Sequence, residues 1–273
     1  MITIDTSLCV GCGACVADCL SRAIEVVDGH ARVIKNCFLC GHCVAVCPTG
    51  AVSLEGDGYE MSDVVPFDPA TCTVAPDVML NTIKCRRSIR QFEKRPVARE
   101  DMEMILEAGR FTPTGSNAQN VSYIVFNEKT EELRAVAMEE FRKLKGDPEA
   151  FAKVFPPPMS PDRVNFDDDD FLFKGAPTIV MTVAPNPANA SIAASAPVNA
   201  ALVSANMELQ AVSLGVGMVY IGFFALLAAG NKRLQEYLGL KEDERVVTCM
   251  SMGYPTVSYY RSVPRKKAKV DWR

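Results

Sequence analysis

Residues 9–26, CVGCGACVADCLSRAIEV, and residues 37–54, CFLCGHCVAVCPTGAVSL, are one text written twice at a spacing of 28 residues. Each copy carries C-x2-C-x2-C-x3-C: Cys9, Cys12, Cys15 and Cys19, then Cys37, Cys40, Cys43 and Cys47, with Pro48 following the second run. Three cysteines at intervals of three can wrap a small loop around one metal–sulfide cube. They offer three thiolates to three irons while the loop's N–H groups point at the sulfurs. A zinc site asks instead for four ligands on paired clips with a long loop between them, which two compact four-cysteine runs do not provide.

The repeat resembles the two-cluster bacterial ferredoxin module, and the resemblance covers residues 1–57. It implies two 4Fe-4S clusters, each taking its fourth thiolate from the far end of the other run. One cluster then takes Cys9, Cys12, Cys15 and Cys47, and the other takes Cys37, Cys40, Cys43 and Cys19. Leu20 stands where that family usually has a proline. His42 lies inside the second run, but every ligand place is already filled, so it is expected at the surface or beside a cluster.

Composition agrees with a metal reading. Of eleven cysteines, set against two histidines, eight fall before residue 48, so cysteine use is local and does not suggest a disulfide scaffold. With 273 residues, 48 % hydrophobic and 23 % charged, the chain can form one large domain or two ordinary ones, and bulk disorder or a fibre is excluded. The N-terminus shows no basic leader followed by an apolar run, so a cytoplasmic, reducing setting is expected. A net charge of -4 gives no sign of nucleic-acid binding. Ala211 to Gly230 lacks charge and is long enough to be weighed as a membrane span. Its four glycines favour a helix end, a glycine turn and a short buried strand.

Beyond the repeat, residues 56–81 mix glycine, proline and acidic residues without a period and read as a connection. Then CRRSIRQF places Arg86, Arg87 and Arg90 around Ser88, guanidinium forks and a hydroxyl suited to a terminal phosphate. An amphipathic helix with Met102, Ile105 and Leu106 follows, then the turn PTGSNAQN and an alternating strand from Val121 to Asn127. R-R-S-x-R followed by P-T-G-x-N-x-Q resembles the FMN-dependent nitroreductase family, with landmarks in order from residue 82 to the C-terminus.

That resemblance implies an α+β chain: a two-cluster ferredoxin-like domain at 1–57, a linker at 58–81, and a dimeric FMN domain at 82–273 with a mixed sheet flanked by helices. Arg86, Arg87, Ser88 and Arg90 would hold the FMN phosphate. Pro113, Thr114, Gly115 and Asn117, with Gln119 nearby, would reach the flavin from the second copy of a homodimer. Asn120 stands where proline is common. In GVGMVYIG, the backbone N–H of Ile221 or Gly222 would approach flavin N5, and Arg265 and Lys266 in the tail would return to the phosphate.

Further elements follow from periodicity. A strand is expected over 178–184, and a helix over 197–214 with Val198, Leu202, Ala205, Leu209 and Val212 in core spacing. A helix over 231–238 should close at Gly239, and a last strand should run over 246–253. Residues 146–175, with three consecutive prolines, four consecutive aspartates and five interleaved phenylalanines, read as a loop or lid near the flavin, or else as a solvated excursion. Cys72, Cys85 and Cys249 read as bystander thiols. No G-x-G-x-x-G follows a strand, so no separate nicotinamide site is visible.

These resemblances imply an oxidoreductase that moves low-potential electrons from clusters to FMN and on to a small organic acceptor, nitroaromatic or quinone. The external donor would be a ferredoxin-type protein or NAD(P)H. A relay whose acceptor is another protein is the alternative. No membrane or nucleic-acid partner is expected.

Overall fold

A computed structural model describes residues 1–186 and 190–273; the side chains of 190–193 also fall outside the description. The residues group into two compact units, Met1–Val74 with Thr114–Ala118, and Ala75–Pro113 with Gln119–Arg273.

In the first unit, β1 (Ile2–Ile4), α1 (Ala14–Ala17) and β2 (Ile24–Val27) recur as β3 (His30–Val33), α2 (His42–Ala45) and β4 (Val52–Leu54), each shifted by the 28-residue period. The halves are interlaced rather than stacked. β1 pairs antiparallel with β4, Ile2 opposite Leu54, while β2 pairs with β3, Ile24 opposite Val33. Gly11, at φ 63°, shows why the first loop needs glycine: a Cβ there would lie 2.2 Å from the Gly29 carbonyl oxygen. Its counterpart 28 residues on, Leu39, takes the same left-handed conformation at φ 52°, a strain of about 1–2 kcal/mol for an L residue. Leu20 does not disturb its turn. Arg22 N–H donates to Cys19 O at 3.0 Å, as Gly50 N–H does to Cys47 O at 3.4 Å.

The expected linker is more structured than its composition suggests. Tyr59 bridges back to Gly56 and packs with Ile2, Val52 and Leu54. A 3-10 turn at Met61–Asp63 and α3 (Pro69–Cys72) follow within the same unit, so the boundary falls between residues 74 and 75. Pro69 sits in the first turn of α3, where its missing N–H costs nothing, and the Asp68 carboxylate caps Ala70 N–H at 2.9 Å.

The second unit contains α4 (Pro76–Cys85), α5 (Arg99–Arg110), β5 (Ser122–Phe126), α6 (Thr130–Arg142), α7 (Pro148–Val154), β6 (Thr178–Pro185), α8 (Ala190–Ser213), β7 (Gly217–Tyr220), α9 (Gly222–Gly230), α10 (Lys232–Tyr237) and β8 (Glu244–Gly253). Its sheet has the order β5-β6-β8-β7 with every named pair antiparallel; the parallel component is a bridge between Ser88 and Met218. β6 is buried from Thr178 to Ala184 because both its faces are covered, and its two threonines, Thr178 and Thr182, are hydrogen-bonded. Ile179, Met181 and Val183 face α6, α7, α9 and α10, whereas Val180 faces Met102 and Ile105 of α5 and Val203, Met207 and Ala211 of α8. Asn231 caps α10, and Gly239 at φ 68° ends it, as expected. α9 lies where the sequence reading assigned no element. No helix among the described residues is long and apolar enough to cross a membrane.

Two expectations are corrected. α8 begins seven residues before Pro197, which lies inside it, and the face that packs inward is Ala196, Ala200, Val203, Met207 and Ala211. Val198 and Leu202 of the expected core stripe are 57 % and 47 % exposed, because the helix is apolar on two faces and spacing alone does not choose between them. Residues 146–175 are not a solvated excursion but a packed part of the core. Phe151, Phe155, Phe166 and Phe173 are buried, and the ring of Phe141 stacks on Phe166 at 4.8 Å and on Phe171 at 5.4 Å. Of the four aspartates only Asp170 turns inward, accepting from Phe173 N–H, Gly175 N–H and Arg134 Nε at 2.9, 2.6 and 2.7 Å.

Truncating the hub of this aromatic group should therefore be costly. Phe141→Ala is expected to lose about 3–5 kcal/mol of stability, read as a lower urea midpoint with unchanged slope.

Candidate functional site

The interlaced strands bring the end of one cysteine run to the start of the other. Cys9, Cys12, Cys15 and Cys47 line one small cavity, partly open to solvent, together with Gly11, Ala31, Thr49 and Ala51. That is the crossed set which the ferredoxin resemblance implies. Cys43 packs with Cys37 in one cluster of side chains and with Cys19 in a neighbouring one.

Backbone N–H groups aim at the sulfurs: Ala23 at Cys19 Sγ (3.2 Å) and Ala51 at Cys47 Sγ (3.3 Å) follow the repeat, while Ala31 at Cys9 Sγ (3.3 Å) and Leu39 at Cys37 Sγ (3.4 Å) do not. Burial works against the thiolates of Cys19 and Cys47. It is outweighed by hydrogen bonds from Ser21 and Thr49 and from nearby backbone N–H groups, so both thiols lie below their usual range. Burial first, then the neighbouring Cys40 and Cys37, pushes Cys43 up to about 11, so this thiol needs a cation to ionise. Among the described residues no three His, Cys, Asp or Glu side chains converge as the ligands of one ion do; a four-iron cube asks for no such convergence, since each thiolate takes its own iron. His42 stays at the surface, its Nδ1 3.1 Å from Asp18 Oδ2.

In the second unit, Arg86–Arg90 runs beside β7. Ser88 bridges Met218, and Ile89 N–H donates to Met218 O at 3.0 Å. The approach is close enough to require Gly217, whose Cβ would fall 2.5 Å from Ile89 Cγ1. Glu93 N–H then bonds Tyr254 O at 2.8 Å, tying the segment to the exit of β8. The basic motif is thus held against the strand whose end leads into Ile221 and Gly222. Ile221 N–H donates to Cys249 O at 2.7 Å, so of the two N5 candidates it is already committed. Gly222 opens α9, where an N–H has no intrahelical acceptor.

The sequence reading missed Glu208. Its carboxylate lies 2.9 Å from Arg86 Nη1, with the two side chains only 12 % and 25 % exposed. Burial raises Glu208 above the usual carboxylate range while Arg86 pulls the other way, and burial followed by the Glu208 charge raises the Tyr220 phenol. The available signal was an acidic residue in an otherwise apolar helix. Arg87, Ser88 and Arg90 make no side-chain hydrogen bond or ion pair among the described residues, leaving their donors available to an anion.

The remaining candidates are dispersed. Thr114, Gly115 and Asn117 group with the first unit, Pro113 and Gln119 with the second. Asn120 accepts a bond from Asn199 Nδ2 of α8 at 3.2 Å, a polar anchor where proline was expected. Arg265 and Lys266 lie exposed in a tail without regular structure. Cys72 and Cys85 are exposed, and Cys249 is buried in β8, where burial raises its thiol well above the usual range.

Residues 83–254 match the nitroreductase family and residues 8–51 the 4Fe-4S dicluster domain. A protein of Archaeoglobus fulgidus provisionally named an NADH dehydrogenase/NAD(P)H nitroreductase is 26 % identical over 180 residues, 64 % of this chain and 84 % of its own length. An NADPH-dependent oxidoreductase of Staphylococcus saprophyticus is 25 % identical over 177 residues, 64 % of each chain. Among solved structures, the FMN-bound nitroreductases of Bacteroides fragilis and Desulfitobacterium hafniense are each 23 % identical, cover 70 % of this chain and 97 % of their own, and superpose with TM-scores of 0.54 and 0.53. Those likenesses establish the fold of the second unit. The chain belongs to the nitroreductase family, with a 4Fe-4S dicluster ferredoxin domain preceding its nitroreductase domain.

Proposed function

We propose that this protein is a flavin- and iron–sulfur-dependent oxidoreductase that passes low-potential electrons from two 4Fe-4S clusters through FMN to a small organic acceptor of nitroaromatic or quinone type. The observation that carries the reading is the cavity lined by Cys9, Cys12, Cys15 and Cys47, on the same chain as a basic motif held against β7 in which Arg86 is paired with Glu208 and Arg87, Ser88 and Arg90 make no side-chain bond among the described residues. When bound, the clusters supply single electrons and the flavin converts between one- and two-electron chemistry.

The chain's own residues bind, orient and screen. Arg87, Ser88 and Arg90 offer forks and a hydroxyl to the FMN phosphate, with Arg86 held beside them by Glu208. Gly222 supplies a backbone donor toward flavin N5. Phe223, next in the chain, packs edge-on against Phe155 and Phe171, each at 5.3 Å, giving the acceptor side a rigid aromatic wall. Both curated relatives bear names that specify NADH or NADPH, which favours a nicotinamide donor reacting at the flavin alongside cluster-borne electrons.

A homodimer fits the outward apolar surface. Val198 and Leu202 of α8, and Val78, Met79, Leu80 and Ile83 of α4, are all exposed apolar side chains that an interface would cover. In such a dimer, Pro113–Gln119 and the tail residues Arg265 and Lys266 would complete the flavin site.

Protein purified without oxygen is expected to hold about eight irons per chain and flavin, and after dithionite reduction to be reoxidised by nitroaromatics or quinones. Zinc in place of iron would sink the cluster reading. Rapid reduction of a partner protein with no turnover of any small acceptor would replace the enzyme by a relay. Arg87→Ala should weaken FMN binding by about 10- to 150-fold, the value of one charge-assisted bond, while riboflavin, lacking the phosphate, binds both proteins alike in a fluorescence titration. Leu202→Glu is expected to convert the dimer to monomer in sedimentation and to release flavin.

A further inference from the structure

The last cysteine of each run is followed by the same short turn. Cys19 leads through Leu20, Ser21 and Arg22 to Ala23, and Cys47 through Pro48, Thr49 and Gly50 to Ala51, each residue 28 positions from its counterpart. Arg22 N–H donates to Cys19 O and Gly50 N–H to Cys47 O, and both residues take the left-handed region, at φ 49° and 67°. Glycine adopts that region freely, whereas a residue with a Cβ does so at a cost and persists there where its surroundings over-determine it. The turn is therefore kept in the first half even without its glycine.

That turn aims two donors at one sulfur. Ala23 N–H lies 3.2 Å from Cys19 Sγ, and the Ser21 hydroxyl lies 3.5 Å from the same atom. Ala51 N–H lies 3.3 Å from Cys47 Sγ, and the Thr49 hydroxyl 3.7 Å. A thiolate bound to iron carries no hydrogen, so the hydroxyl is the donor in both pairs. All of these residues lie within the first unit. Cys19 and Cys47 are also the two thiols that cross between the runs: Cys47 lines the cavity of Cys9, Cys12 and Cys15, and Thr49 lines it beside them.

We infer that Ser21 and Thr49 are positioning residues for the two clusters: each hydroxyl holds the crossing thiolate and raises the reduction potential of the cluster which that thiolate completes. The inference rests on the two-cluster reading above. Ser21 acts through Cys19 on the cluster of Cys37, Cys40 and Cys43, and Thr49 acts through Cys47 on the cluster of Cys9, Cys12 and Cys15. Reduction adds one electron to a cluster, breaks no ligand bond and places part of the new charge on the sulfurs. A donor facing a sulfur therefore stabilises the reduced form more than the oxidised one. The turn itself does not demand a hydroxyl, since the left-handed residue and its N–H already close it.

The test uses the full chain purified with iron and without oxygen, titrated with dithionite and followed by EPR of the reduced clusters. Threonine and valine have nearly the same shape, so the informative comparison at each position is one against the other. Thr49→Val puts a methyl where the hydroxyl was and leaves no room for a water to replace it; Ser21→Val is compared with Ser21→Thr. Each valine variant is expected to keep about eight irons per chain. Each should make one cluster about 10-fold harder to reduce, or about 59 mV for one electron, and leave the other unchanged. The double variant should shift both clusters, and Ser21→Thr neither. The inference is overturned if the valine variants keep both wild-type potentials or if both shift the same cluster. It is equally overturned if Ser21→Thr shifts as Ser21→Val does, which makes shape the cause, or if a valine variant loses its iron, which makes the role that of a scaffold. A wild-type protein that takes up no iron–sulfur clusters overturns the parent reading, and this inference with it.

Discussion

Four thiols can surround one small cube only if a chain delivers them from far apart in sequence to within a few ångströms of each other. Here the delivery is made by strand exchange between two halves of a repeat. β1 pairs with β4 and β2 with β3, so the end of each half lies against the beginning of the other. Cys47 thereby joins Cys9, Cys12 and Cys15 around one cavity. The unit has little else to hold it: its buried apolar clusters are Ile2, Val52 and Leu54 on one side and Cys15, Ile24 and Ala31 on the other, with Ala23 and Ala51 buried beside them. A core this small leaves much of the folding energy to the metal that the thiols bind, as in other small domains built around metal ligands.

The second unit solves a different problem, placing a basic loop and a backbone donor at one end of a sheet. A sheet covered on both faces can be rigid enough for this, and β6, buried from Thr178 to Ala184, supplies the rigid centre. The Arg86–Arg90 segment is then hydrogen-bonded along β7, with Gly217 lacking the side chain that would hold it off. Glu208 is the least ordinary element of this arrangement. A carboxylate on the inner side of an apolar helix is expensive unless paired, and its partner Arg86 comes from the very motif assigned to phosphate. The pair holds that guanidinium in place.

Legibility followed the range of the forces involved. The eight cysteines, the 28-residue period and the glycine loops were readable because cluster ligation demands fixed spacings within a dozen residues. The strands over 178–184 and 246–253 and the helix closing at Gly239 were readable because burial and capping leave local signatures. The inward face of α8 was not, since small residues such as Ala196, Ala200 and Ala211 line it while larger Val198 and Leu202 point outward. The aromatic segment misled for a related reason. Phe151, Phe155 and Phe166 have no regular spacing, and they became core only because Phe141 and Phe223 come from α6 and α9 to meet them.

By itself the sequence determined which atoms can bind metal and phosphate, because thiolates and guanidinium forks are chemical properties of residues and their spacing is covalent. The tertiary structure decided which of those groups meet. It joined Cys47 to the first run, gave Arg86 a buried counter-charge, and committed the Ile221 N–H to Cys249. It also placed Asn117 on the second cysteine loop rather than the first. Each of these pairings spans residues whose separation in the chain carries no information about their distance in space. Only the pairing of strands and the packing of helix faces set that distance.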